Sequence, residues 1–325
     1  MAVKDEVLRV LREKQGEYVS GQALADAMDV SRHAVWKAID RLRTEGYDIE
    51  AKSNLGYRLT MVHDVLSAEG LGARLASDFT LEVYDTIDST NNRARALAEE
   101  GCAEWTVVAA NSQSKGRGRM GKSFYSPKTS GVYVSVVVRP RANATEASLL
   151  TIAAAAATAE AIEAVCGAEC GIKWVNDCFV DGKKVAGILT EASIGLEEQA
   201  LRYAVVGIGI NVAPPEGGFP EEVRDVAGAI FKEAPTEETR NLLAAEVLTR
   251  FRRYASDLSA RAFLESYRKR LFVLDRDVFL VRGETRESVH VVGLTDDGAL
   301  VVRDENGGLR QVASGEVSLR MEDYR

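Results

Sequence analysis

Apolar residues recur at helical spacing from the start of the chain: Val3, Val7, Val10 and Leu11 share one face and predict a helix from about Val3 to Glu13. A second helix is expected after Ser20, whose hydroxyl is suited to cap it, with Leu24, Ala27 and Met28 inside. Asp29 and Val30 make a tight connection. Ser31 caps a third helix in which Val35, Ile39 and Leu42 face inward, and Gly46 supplies a left-handed stop. The period then changes from helical to alternating. Tyr47 to Lys52 and Gly56 to Thr60, joined by a turn at Ser53 and Asn54, read as two short strands of a wing. Together these make a winged helix-turn-helix. Its third helix would offer Ser31, Arg32, His33 and Lys37 to bases and phosphates in a DNA major groove, and Arg41 to backbone phosphate.

Beyond about residue 62 strands alternate with helices. Strands are expected at Leu81 to Tyr84, Trp105 to Ala110, Val132 to Arg139, Gly171 to Val175, Val185 to Ala192 and Leu201 to Val212. Helices are expected at Thr90 to Glu100, Thr145 to Val165 and Thr236 to Tyr254, so this part is a mixed sheet with helices packed on it. Pro214 to Pro220 reads as a surface loop. Near the end, Asp277 to Arg282, Ser288 to Thr295, Ala299 to Asp304 and Leu309 to Val312 are short valine-rich strands, with turns at Asp297-Gly298 and Asn306-Gly307. A small antiparallel barrel is expected there. The fold class is α+β and multidomain, divided at 1–62, 63–272 and 273–325.

Composition narrows the classes. With 325 residues, 46% hydrophobic and 28% charged, the chain is expected to fold throughout into two or three units. The start of the chain, with charges at Lys4, Asp5 and Glu6 and no long apolar stretch, is not expected to be a signal peptide or membrane span, and the apolar run Leu149 to Val165, broken by Thr158, Glu160 and Glu163, is expected to be a core helix. A cytoplasmic protein without a membrane partner is expected. Its four cysteines are expected to be reduced thiols. Cys166 and Cys170 stand at helical spacing, but Gly167 and Gly171 mark a helix end and no further ligand completes a metal site. The net charge of −8 is unevenly distributed: residues 1–60 hold ten Lys or Arg and ten Asp or Glu. Within that neutral segment Arg32, Lys37, Arg41 and Arg43 form a local basic stripe around a lone Asp40.

The most informative stretch is Gln113-Ser114-Lys115-Gly116-Arg117-Gly118-Arg119-Met120-Gly121-Lys122-Ser123. Its glycines permit close backbone approach, and its cations neutralise phosphate and carboxylate oxygens that would repel each other. Gly116 followed by Gly121-Lys122-Ser123 also satisfies the phosphate-loop formula, but a phosphate loop opens a helix and here a strand is expected to follow. Four more motifs accompany it. Asp88-Ser89-Thr90-Asn91-Asn92 opens a helix, Lys173-Trp174-Val175-Asn176-Asp177 ends a strand, Gly182 to Leu189 follows, and Gly207-Ile208-Gly209-Ile210-Asn211 closes the series.

In this order and spacing the motifs resemble those of bacterial biotin-protein ligases, and with the winged helix those of the bifunctional ligases that also repress biotin genes. The resemblance spans nearly the whole chain. It implies a class II synthetase-like central domain and a C-terminal SH3-like barrel. The implied reaction has two steps: the biotin carboxylate attacks the α-phosphorus of ATP, and a lysine of a biotin carboxyl carrier protein of acetyl-CoA carboxylase then takes the biotinyl group from biotinyl-AMP. Mg2+ would be held chiefly by ligand oxygens, with no dedicated protein cage. The adenylate would also act as corepressor, favouring a homodimer on operator DNA.

By the same resemblance Ser89, Thr90 and Asn91 touch biotin, Gln113 lies beside its rings, and Gly116, Arg117, Gly118 and Arg119 fold over biotin and the adenylate. Lys184 stands at the activated carboxyl, where with Arg119 it would favour developing negative charge. Lys173, Asn176 and Asp177 lie near nucleotide phosphates and metal, and Gly207, Gly209 and Asn211 let the ligand pass against the sheet. Val175 replaces a usual proline, which is expected to loosen one turn. Met120 replaces a frequent arginine, and Phe124 stands where an aromatic, often tryptophan, is found. A non-catalytic biotin-sensing regulator and a lipoate-type ligase are the alternatives.

Overall fold

The computed structural model describes residues 3–14, 16–44, 47–61, 64–140, 146–195, 201–235, 238–282, 285–313 and 315–318. Gly46, the expected stop of the third helix, lies outside them, as do Thr145 and Thr236, the expected starts of two later helices.

Three helices, α1 (Val3–Glu13), α2 (Gly21–Met28) and α3 (Arg32–Thr44), bury Val7, Leu8, Leu11, Leu24, Val35, Ile39 and Leu42 together. The caps read from the sequence are formed: Ser20 Oγ accepts from the Ala23 N–H at 3.0 Å and Ser31 Oγ from the Ala34 N–H at 3.2 Å. Asp29, in the left-handed region at φ 51°, ends α2. The wing follows as β1 (Asp48–Lys52) paired antiparallel with β2 (Gly56–Met61). Arg43 donates twice to the Ile49 carbonyl, at 2.8 and 2.6 Å, so this cation holds the wing.

The central unit runs α4 (Ala68–Gly72), β3 (Thr80–Ile87), α5 (Thr90–Glu99), β4 (Thr106–Gln113), β5 (Gly131–Val138), α6 (Ala147–Cys166), β6 (Gly171–Lys173), β7 (Asp177–Val180), β8 (Lys183–Ile194), β9 (Leu201–Asn211), α7 (Thr239–Ala255) and α8 (Phe263–Arg270). Seven strands form one sheet in the order β3-β4-β5-β9-β8-β7-β6, parallel only between β3 and β4. The sequence reading carries one strand on to Val175. Instead the chain turns after Lys173 and returns as β7, four residues whose apolar run is too short to separate from a turn.

Alternation along β5 decides which face does what. Val132, Val134, Val136 and Val138 join the main core beneath α6 and α7, whereas Val137 packs with Ala94 and Leu97 of α5 on the opposite face. Helix α6 is long and apolar enough to cross a membrane, yet Ala153 to Ala157 are all fully buried in this core.

The C-terminal strands β10 (Asp277–Arg282), β11 (Thr285–Leu294), β12 (Leu300–Arg303), β13 (Leu309–Val312) and β14 (Glu316–Ser318) form an antiparallel sheet in the order β13-β12-β11-β10-β14. Gly298 and Gly307 turn the chain at φ 80° and 82° where turns are expected. Val278, Leu280, Val291 and Leu300 belong to the same apolar cluster as α6, and Trp174 Nε1 donates to the Gly298 carbonyl at 2.9 Å.

The winged unit is tied to the central one through residues 64–67. Asn111 exchanges two hydrogen bonds with the Leu66 backbone (3.1 and 3.0 Å), and Asn241 holds the Val65 carbonyl (2.7 Å) and the Ser67 N–H (3.0 Å). Glu238 pairs with Arg12 of α1 at 2.8 Å and with Arg74 at 2.7 Å.

Candidate active site

The site lies on the α5 face of the large sheet. Register places Tyr133 opposite Gly209 and Ser135 opposite Gly207, while Gly209 faces Gly187 and Gly207 faces Leu189 on the other neighbour. Cross-strand partners share a face. Three glycines in adjacent strands thus leave a flat floor bordered by two hydroxyls. The hydroxyl of buried Tyr133 donates to the Pro127 carbonyl at 3.0 Å, and burial pushes its pKa up to about 12.

The N-terminus of α5 overhangs this floor. Ser89 is its N-cap but makes no side-chain capping bond. The orphan donor is satisfied from across the pocket: Gln113 Oε1 accepts from the Thr90 N–H at 2.8 Å and from Thr90 Oγ1 at 3.1 Å. Gln113 Nε2 donates to Ser126 Oγ at 2.9 Å. Asn91 is held from both sides, accepting from Ser135 Oγ at 2.6 Å and donating to Glu191 Oε2 at 2.9 Å. Gly187 falls inside the Gly182 to Leu189 motif without a role of its own, and Ser126, Ser135 and Glu191 were not singled out by the sequence, because they lie in or beside strands whose facing depends on register.

The basic loop closes over the floor as a small hairpin. Gly118 N–H donates to the Lys122 carbonyl at 2.7 Å, Phe124 N–H to the Gly116 carbonyl at 2.9 Å, and Met120 sits at the tip, 69% exposed with φ 55°. No helix opens at Lys122, which rules out the phosphate-loop geometry. Arg117 donates to Glu191 at 2.9 Å and to Asn92 at 3.1 Å. Phe124 lies so close to the floor that a Cβ at Gly209 would come within 2.6 Å of its ring. Side chains, rather than open space, meet Gly207 and Gly209: a Cβ at Gly207 would stand 2.0 Å from Asn91 Oδ1. With Phe124 in place the pocket among Ser89, Thr90, Gln113 and Gly209 is about 30 Å³.

A larger cavity of about 510 Å³ adjoins it, lined by Arg119, Lys173, Asn176, Asp177, Lys184 and Asn211 among others. Lys184 Nζ lies 2.6 Å from Asp177 Oδ1, at ion-pair distance but without hydrogen-bond geometry, and Lys173 Nζ lies 3.9 Å from Oδ2. Lys173 is largely buried, its ammonium 5.4 Å from the Phe179 ring centre. Arg119 donates to Asn176 Oδ1 at 2.9 Å, and Asn211 Nδ2 to the Gly228 carbonyl at 2.9 Å. The strap carrying Gly228 is bonded along Lys184, whose N–H donates to Val226 and whose carbonyl accepts from Gly228. The Trp174–Val175 peptide is cis, and the turn there is held by fully buried Tyr267, which donates to the Val175 carbonyl at 3.1 Å.

The sequence-expected site residues of the central unit therefore meet around two adjoining spaces: Ser89, Thr90, Asn91, Gln113, Arg117, Gly207 and Gly209 line the smaller, and Gly118, Arg119, Lys173, Asn176, Asp177, Lys184 and Asn211 the larger. Gly116 stands behind the lid, where a Cβ would meet the Phe124 carbonyl at 2.3 Å. In the winged unit Ser31, Arg32, His33, Lys37 and Arg41 are all exposed on or beside α3.

A neutral polar pocket opening beside a cation-lined cavity suits a ligand with an uncharged end and an anionic end, and a helix-turn-helix joined to it suits nucleic acid. Residues 83–211 match the Biotin/lipoate A/B protein ligase family model, 4–58 an HTH domain and 281–320 a Biotin protein ligase C terminal domain. The chain is 32% identical over 98% of both chains to the bifunctional ligase/repressor BirA of Bacillus subtilis, and 30% identical over 94% of both to BirA of Escherichia coli. Among solved structures it is similar to the biotin protein ligase of Aquifex aeolicus in complex with biotin and ATP, with a TM-score of 0.61 and 29% identity over 74% of this chain and 98% of that one. The chain belongs to the bifunctional biotin ligase/repressor family.

Proposed function

We propose that the chain activates biotin with ATP to biotinyl-AMP, transfers it to a lysine of a biotin carboxyl carrier protein, and represses transcription with the adenylate as corepressor. The observation that carries this reading is the joining of two spaces of different chemistry. One is a glycine-floored pocket with neutral hydrogen-bonding groups, and the other is a cavity lined by Arg119, Lys173 and Lys184. The first suits the uncharged rings of biotin. The second suits phosphates, and the two carboxylate-bearing and phosphate-bearing ends meet where Arg117, Gly187 and Leu189 line both.

Biotin enters when the hairpin carrying Phe124 lifts from Gly209, since the space left beneath it is about 30 Å³. Ser89, Thr90, Asn91 and Gln113 orient the rings, and reclosure of Arg117 and Gly118 excludes water from the acyl phosphate. Lys184 and Arg119 favour the charge shared between carboxylate and α-phosphoryl oxygens as pyrophosphate leaves. The amine of the carrier lysine then attacks the acyl carbon and AMP departs. Asp177 and the Asn176 carboxamide are oxygen donors on the cavity wall; Asp177 Oδ1 faces the Lys184 ammonium and makes no hydrogen bond among the described residues, and Asn176 Oδ1 accepts from Arg119. One carboxylate fits Mg2+ when phosphates supply the other oxygens, and the ion would neutralise phosphate charge there.

The N-terminal unit takes operator DNA through Ser31, Arg32, His33, Lys37 and Arg41, as a homodimer when the adenylate is bound. The units are divided at 1–62, 63–272 and 273–325, the centre is class II synthetase-like, the C-terminal sheet curls as an SH3-like barrel, and the place of action is the cytoplasm.

Incubation with biotin, Mg-ATP and a carrier domain tests the reading: the carrier gains the mass of a biotinyl group and pyrophosphate is released only when biotin is present. Labelling by lipoate in preference to biotin, or no labelling by the folded enzyme, overturns it.

A further inference from the structure

The recognition face of α3 carries a residue that charge and hydrogen bonding leave unexplained. Trp36 is 49% exposed, on a helix whose other large apolar side chains, Val35, Ile39 and Leu42, are buried. At about 100° per residue, positions 32, 33, 36, 37, 40 and 41 share the outward face, and Trp36 lies between Arg32 and Asp40 on it, in the N-terminal half of the helix. The ring is held rather than free. His33, one turn earlier, stacks on it with centroids 5.7 Å apart and planes 12° from parallel.

A single exposed apolar side chain is ordinary on a protein surface, but a half-exposed indole stacked on a neighbouring ring, on the helix that faces DNA in a winged unit, offers a broad apolar face where a base edge would lie. The surroundings choose among partners. Arg32, one turn before Trp36, and Lys37 and Arg41, further round the same exposed face, make no ion pair among the described residues, and Asp40 is the one acidic side chain in that stretch of helix. An apolar protein surface seated on Trp36 would desolvate these cations without compensation, whereas a duplex sets its phosphates against them as the ring enters the groove. Inside the major groove the one apolar group on a base edge is the thymine C5-methyl.

We propose that Trp36, braced by His33, is a base-reading residue that packs on a thymine methyl in the major groove, while Lys37 and Arg41 fix register on phosphate. This rests on the DNA-binding part of the proposed function. It turns a general basic face into a specific contact with one kind of base.

The test uses the full chain with biotin, Mg-ATP and duplexes selected by it from a random-sequence library. In each selected duplex, thymines are replaced one at a time by uracil, which removes only the methyl. With the native protein, one uracil position per half-site is expected to weaken binding by about five- to tenfold, a single apolar contact's worth of discrimination. Trp36→Ala is expected to lose that methyl dependence while the salt slope of its binding, set by phosphate contacts, stays unchanged. Trp36→Phe is expected to keep part of it, and in a double-substitution cycle the methyl and the indole are expected to couple. Uracil tolerated everywhere by the native protein overturns the proposal, as does an equal methyl penalty with Trp36→Ala. Selection that enriches no sequence overturns the repressor reading and this inference together, which separates the two failures.

Discussion

At the level of single residues the pocket is least tolerant at Gly207. A Cβ there would stand 2.0 Å from Asn91 Oδ1, and Asn91 has nowhere to swing, being buried and bonded to Ser135 and Glu191. Overpacking of this kind costs about 1–3 kcal/mol, and here the strain falls on a side chain placed against biotin. Gly207→Ala is expected to raise the biotin Kd roughly tenfold by calorimetry; an unchanged Kd would show that Asn91 does not touch the ligand. Lys184 differs, because it lines only the larger cavity, beside Asp177. Lys184→Ala is expected to slow biotin-dependent pyrophosphate release by about a hundredfold or more while the biotin Kd moves little. A large change in Kd with an unaltered rate would assign the lysine to ground-state binding instead.

At the level of elements, the start of α5 shows how a distant residue completes a local signal. Asp88-Ser89-Thr90 reads as a helix cap, and Ser89 does occupy the N-cap, but the Thr90 N–H is taken by Gln113. Parallel pairing of β3 with β4, which sets Ile87 beside Gln113, brings that acceptor into place. Gln113→Ala is expected to cost about 1 kcal/mol, as loss of a cap does, and to lower the melting temperature by about 2–4 °C, with biotin binding weakened as well. Unaltered melting with weakened binding would mean that Gln113 serves the ligand alone. The same dependence on register explains what the sequence hid. The basic loop, Lys184 and the glycine pairs stand out as motifs, and the long apolar runs of β5, β8 and β9 announce themselves as strands. Ser135 and Glu191 do not, since only pairing reveals that they face the same pocket as Asn91. Strand β7 was lost inside the turn after Lys173, and α4 and α8, of five and eight residues, are too short to show a helical period.

At the level of the whole molecule, the winged unit and the ligase meet along a polar seam that is incompletely satisfied. Fully buried Arg240 donates to the Gly131 carbonyl at 3.2 Å and to Asn111, and its own N–H donates to Asp64 Oδ1 at 2.7 Å. Yet Arg240 Nε, Asp64 Oδ2, Arg12 Nε and Glu69 Oε2 are buried there without hydrogen-bond partners among the described residues. Burial pushes the Asp64 carboxyl up to about 7; Arg240 opposes the shift and Glu238 adds to it. A pKa raised in the folded state means that folding takes up a proton between about pH 4 and pH 7. The stabilisation is full below the ordinary carboxylate range and is lost as pH rises through about 7. Asp64→Asn removes this titration, and above about pH 7, where the carboxyl is ionised, it also strips Arg240 of a neighbouring charge. The informative quantity is therefore how the gap between native and variant proteins changes. From pH 5 to pH 7 the native protein is expected to lose up to roughly 1.4 kcal/mol per pH unit relative to Asp64→Asn, measured by urea unfolding of the full chain. A gap that stays constant across that range would mean that Asp64 is charged in the folded state well below pH 7, and that the seam is held by a formed ion pair with Arg240.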